Sequence, residues 1–148
     1  MKQVIQFKSP KEHYRADGCV FWCFDRRFKE LCDAFVEYLG LRCEDLVQVA
    51  GGAMELRSRD GEAYKYLLGQ ALKSWKLHGA DNFYLTIHAD CGAYKAAGLI
   101  PDGASESEFL EQELINIRNN FEQDLRDAGC GSKILTYLVD FDGLREVE

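Results

Sequence analysis

Apolar positions along the chain switch between two spacings. Cys19 to Phe24 (CVFWCF) is a short unbroken apolar run, rich in aromatic and branched side chains, and reads as a buried strand. From Phe28 the apolar residues fall at Phe28, Leu31, Cys32, Phe35, Val36 and Leu39, the stripe of one helical face, and Gly40 ends it. Leu46 to Ala50 predicts a second strand, closed by Gly51 and Gly52. A helix from about Glu62 to His78 follows, with Tyr64, Leu67, Leu68, Ala71, Leu72 and Trp75 on one face and Gly79 behind it. Asn82 to His88 predicts a third strand. Ser105 and Glu108 have the spacing of a capping box and open a long helix striped by Leu110, Leu114, Ile117, Phe121 and Leu125. Gly129 and Gly131 end it, and Lys133 to Val139 predicts a fourth strand.

Strands alternating with helices in this way predict an α/β fold. The strands lack polar alternation, as expected of a mainly parallel sheet flanked by helices on both faces. With the second strand on one side of the first and the third on the other, the four-stranded sheet has the order 2-1-3-4.

The chain has 148 residues, 47% of them hydrophobic and 29% charged, which suits one core and predicts a single domain over residues 1–148. No apolar run of about 18 residues exists to cross a membrane. The N-terminal stretch has no apolar block of signal-peptide length, so a cytoplasmic location is expected. With 25 acidic against 18 basic residues the net charge is −7, which repels phosphate backbones; neither nucleic acid nor membrane is an expected partner. In a reducing compartment the six cysteines are free, catalytic or metal-bound rather than a disulfide framework.

Two short motifs end predicted strands. Cys-x-Asp-x-Arg (Cys23, Asp25, Arg27) closes the first, and His-x-x-Cys (His88, Cys91) closes the third. By chance about one chain of this composition in eight carries the second motif and about one in thirty the first, so the pair carries the reading and neither motif alone does. In open α/β sheets the ligand crevice lies beyond the carboxyl ends of the strands where their order reverses, which lets Cys23, His88 and Cys91 converge. Two thiolates and an imidazole form a known catalytic zinc set that leaves the fourth position to water.

These motifs resemble those of the β-class carbonic anhydrases, whose ligands lie in Cys-x-Asp-Ser-Arg and His-x-x-Cys. Here they stand as CFDRR (Cys23 to Arg27) and HADCG (His88 to Gly92), and VAGGA (Val49 to Ala53) is similar to that family's Asn-Ala-Gly-Gly segment, with Gln48 and Val49 where the family often has Arg-Asn. The resemblance implies that Cys23, His88 and Cys91 hold Zn²⁺, and that Asp25 and Arg27 form the dyad orienting a zinc-bound hydroxide for attack on CO₂ to give bicarbonate. It also implies a homodimer or higher homo-oligomer. Arg26 stands where the family has Ser, which sets a second cation beside Asp25.

Other readings attach to the same residues. A close rival keeps the same metal site but hydrolyses a related heterocumulene, COS or CS₂. Alternatively, Asp25 swings onto the zinc and closes it, making a non-catalytic zinc-binding protein. Phe21, Phe24 and Tyr94 are candidates to line the pocket. Asp90 is expected to cap the turn presenting Cys91, and Gly51–Gly52 to make a tight turn or close backbone approach. Cys19 and Cys32 read as core.

Overall fold

In the computed structural model, which describes residues 4–148, twelve residues of irregular chain (4–15) precede Ala16, whose amide is bonded to the His78 carbonyl at 2.9 Å. Strand β1 (Gly18–Cys23) is buried along its whole length, and its side chains divide between two cores. Cys19, Phe21 and Cys23 face one way, Val20 and Trp22 the other. This two-sided burial explains the unbroken apolar run: both faces of a central parallel strand lie under helices.

A single 3₁₀ turn (Arg26–Phe28) leads from β1 into α1 (Lys29–Tyr38), and together they lay Phe28, Cys32 and Phe35 into one cluster with Trp22, Tyr84 and Tyr137. The other strands are β2 (Glu44–Val49), β3 (Asn82–His88), β4 (Lys133–Asp140) and β5 (Gly143–Val147). Helix α2 (Glu62–Lys73) and the long α4 (Glu106–Asp127) cover the opposite face; there Phe121 meets Phe21 edge-on with ring centroids 5.8 Å apart. Ser105 caps α4, accepting a bond from the Glu108 amide at 3.5 Å.

The sheet order is β2-β1-β3-β4-β5, with four parallel strands and an antiparallel fifth. The predicted order 2-1-3-4 is therefore present, extended by one edge strand. β5 (GLREV) was not legible as a strand because an edge strand with one wet face mixes polar and apolar residues. A short helix, α3 (Gly92–Ala96), was also not foreseen, and the predicted helix to His78 ends instead in a π-helical turn, Ser74–His78. No helix among the described residues is long and apolar enough to cross a membrane.

Candidate metal centre

The chain runs to one side of β1 for β2 and to the other for β3, so the strand order reverses between β1 and β3. Their pairing stops at Phe21↔Leu85. Beyond it the Thr86 hydroxyl donates to the Phe21 carbonyl at 2.7 Å, and the Thr86 carbonyl accepts from the Ala53 amide at 2.9 Å. The segment after β2 thus lies across the end of the crevice. Gly51 and Gly52 let it pass, with φ of +74° and +61°. A Cβ on Gly52 would stand 2.5 Å from the Thr86 carbonyl oxygen, which only glycine avoids. The Gly51 amide points at the Cys23 sulfur at 3.3 Å.

Cys23, His88 and Cys91 come together there. Their ligand atoms all lie within 4.8 Å of one another, and all three residues are buried. The His88 ring is fixed by Nδ1, 2.8 Å from the Ala89 carbonyl, and by Phe28, whose ring centroid is 4.8 Å away. That contact puts the proton on Nδ1 and leaves Nε2 a bare lone pair; Nε2 is buried and has no hydrogen-bond partner. Buried polar nitrogens are almost always partnered, so an orphan facing two sulfurs suits a metal. Without a metal, Cys91 is held well below the usual thiol range, first by the Cys23 thiol and then by His88, while Cys23 is pushed up by sharing that proton and by burial. For His88, burial opposes protonation, but the Cys91 sulfur and the Ala89 carbonyl outweigh it and the net shift is upward. The set could hold a metal ion.

Asp25 lies beside this cluster without joining it. Its Oδ1 caps the 3₁₀ turn by accepting from the Arg27 amide at 3.0 Å, and its carboxylate accepts from Arg27 Nε at 3.1 Å and Nη2 at 2.7 Å. Those bonds hold Asp25 down at about 2, the guanidinium contributing most and the backbone amide next. Arg26 does not compete for it. Arg27 also reaches across the crevice, with Nη1 2.7 Å from Asp90 Oδ2 and Nη2 3.1 Å from the Asp90 carbonyl.

Asp90 does not cap the turn as expected. Its side chain is bonded to Arg27 and Lys95, its amide donates to Glu106 at 3.1 Å, and its backbone sits at φ +57°. The ion pairs outcompete a local amide because they offer full charges.

A cavity of about 430 Å³ opens over the cluster, lined by Phe24, Asp25, Arg26, Ala50, Gly51 and Ala93 besides the three ligand residues and Gly92. Of the three aromatics expected there, only Phe24 lines it. Phe21 and Tyr94 are fully buried in the α2/α4 core, where Phe21 projects from the sheet onto Phe121 and Tyr94 meets Phe109. Cys19 and Cys32 are core, as expected, and burial pushes Cys19 up to about 12.

Reversal of strand order, two cysteines and a histidine at that reversal, and an aspartate–arginine pair beside them define a β-carbonic anhydrase-like fold. Among solved structures, the chain is similar to β-carbonic anhydrase isoform I from Trichomonas vaginalis, at 10% identity and a TM-score of 0.62 over 96% of this chain and 87% of that one. It is similar to a carbonic anhydrase from Streptococcus mutans, at 18% identity and 0.56 over 91% and 83%. A carbon disulfide hydrolase in its apo form aligns at 16% identity and 0.52 over 91% and 81%. No protein-family model and no curated protein matches the sequence.

Proposed function

We propose that this chain is a zinc-dependent lyase that adds water to CO₂ to give bicarbonate. The observation carrying the proposal is the buried, unpartnered Nε2 of His88 facing the Cys23 and Cys91 sulfurs, with Asp25 tied to Arg27 beside them.

In this reading Cys23, His88 and Cys91 hold zinc, which when bound supplies a Lewis acid able to generate hydroxide from water near neutral pH. The Gly51 amide, donating to the Cys23 sulfur, supports its thiolate form. Asp25, kept ionised by Arg27, accepts the hydrogen bond of the reacting water and fixes which lone pair faces the carbon of the substrate. Arg27 acts through Asp25: the same guanidinium that keeps it charged keeps its oxygens away from the ligand cluster, which favours an open site over one closed by Asp25. Phe24 and Ala93 give the cavity apolar wall for a small uncharged molecule. The reading also includes a small homo-oligomer, for which Phe24, 63% exposed at the cavity, offers apolar surface to cover.

Stopped-flow CO₂ hydration on zinc-loaded protein at pH 7 and 8.5, with Cys23→Ser alongside, tests it. Turnover that rises with pH and is lost in the variant is expected. Stoichiometric zinc with no CO₂ hydration overturns it; turnover of COS or CS₂ by that same protein would then assign the site to heterocumulene hydrolysis, in keeping with the carbon disulfide hydrolase among its structural neighbours.

A further inference from the structure

Arg26 lines the cavity over the metal cluster and is exposed. Among the described residues its side chain makes no hydrogen bond and no ion pair, although it follows Asp25 directly. Arg27 takes the two nearby aspartates: Asp25 accepts from Nε and Nη2, and Asp90 from Nη1. Lys95 takes the remaining oxygen of Asp90. The guanidinium of Arg27 is in turn committed to both aspartates, through Nε, Nη1 and Nη2.

Of the other charged groups on the lining, Asp25 is already neutralised by its ion pair with Arg27, which stands outside the lining, and the two thiolates would balance a divalent metal. Arg26 remains as the one uncancelled charge on that wall, in a chain whose net charge is −7. An uncompensated arginine at the rim of a largely apolar cavity draws anions toward it against the field of the whole molecule. Its planar fork matches a planar oxyanion through two parallel hydrogen bonds, a match that a spherical halide cannot make.

We infer that Arg26 is a specificity residue that binds a small planar oxyanion of the carboxylate type, the class to which bicarbonate belongs, at the mouth of the cavity. The inference rests on the metal-loaded site proposed above but not on CO₂ being its substrate. The anion is held at the rim by charge and by shape. Arg26 thereby acts on the charged side of the reaction and leaves the addition step to Asp25.

The test is calorimetric titration of zinc-loaded protein with sodium formate and with sodium iodide, in wild type, Arg26→Ser and Arg26→Lys. Arg26 is exposed, so both variants are expected to melt with the wild type. Formate affinity should fall about five- to tenfold in Arg26→Ser, the size of a charge-assisted pair at a half-wet site. Arg26→Lys should recover only part of it while leaving iodide affinity within about twofold of wild type, because the charge remains and the fork is lost. Formate affinity unchanged in Arg26→Ser, or no saturable formate binding to wild type, overturns the inference. Formate binding that depends on Arg26 in a protein without CO₂ hydration supports this inference and overturns the proposed reaction. CO₂ hydration with formate binding indifferent to Arg26 does the reverse.

Discussion

Arg27 joins two loops that are 63 residues apart in sequence, with Asp25 on one side and Asp90 on the other. Removing its side chain leaves Asp25 only the backbone amide of residue 27 and Asp90 only Lys95, without touching the Cys23–His88–Cys91 cluster. Arg27→Ala is expected to keep one zinc per chain, measured by metal analysis, while CO₂ hydration falls about a hundredfold as Asp25 loses its orientation. Arg27→Lys should recover little, since an ammonium cannot span both aspartates. Gly52→Ala is expected to be costly for a different reason: a Cβ in the Thr86 carbonyl and a positive φ together should lower stability by roughly 2–4 kcal/mol in urea unfolding. The Asp25–Arg27 pair was legible in sequence because its members lie two residues apart on one turn. Asp90 as third member was not, since nothing in a local pattern tells which distant cation will meet it. The bare Nε2 of His88 belongs with that group too, because it is set by a carbonyl contact and not by a motif.

At the level of elements, the helices with a clear stripe and the four parallel strands were readable, while the five-residue helix α3 and the edge strand β5 were not. β3 and the start of α4 fell where apolar spacing and the Ser105 cap put them. α3, five residues long, has too few turns to show a stripe, and β5 is an edge. The π-helical end of α2 has a visible use, since it brings His78 to Asp45 at the start of β2, with Nδ1 2.8 and 3.0 Å from the two carboxylate oxygens. Tyr14 of the leading segment donates to the same carboxylate at 2.6 Å. Burial alone would raise Asp45, but its hydrogen-bond donors outweigh it and the folded value lies below 3.8. A carboxylate depressed by folding stabilises above its unfolded value and loses that contribution as pH falls through the folded one. Asp45→Asn should therefore melt roughly 2–6 °C lower than wild type at pH 7, with the gap closing below about pH 4 in a calorimetric series. A gap that stays constant down to pH 2 would show that Asp45 acts by packing and not by charge.

For the molecule as a whole, sheet order was readable because reversal between β1 and β3 is the arrangement that lets the two motifs meet. A metal held at that junction, as proposed above, would tie together the ends of β1 and β3, so its removal should be felt globally. Chelation of zinc-loaded protein is expected to lower the melting temperature by roughly 5–10 °C, and the loss should shrink as free zinc is restored. The junction also has a history in time. His88 follows Cys23 by 65 residues (88 less 23), and parallel pairing of β1 with β3 needs the whole crossover between them. At ribosomal speeds of about 5–20 residues per second, the Cys23 thiol waits roughly 3–13 s before its partners have even been synthesised. Metal uptake by the proposed site would then be a late event of biosynthesis, and a nascent chain stalled before β3 carries an unguarded thiol that the folded chain buries.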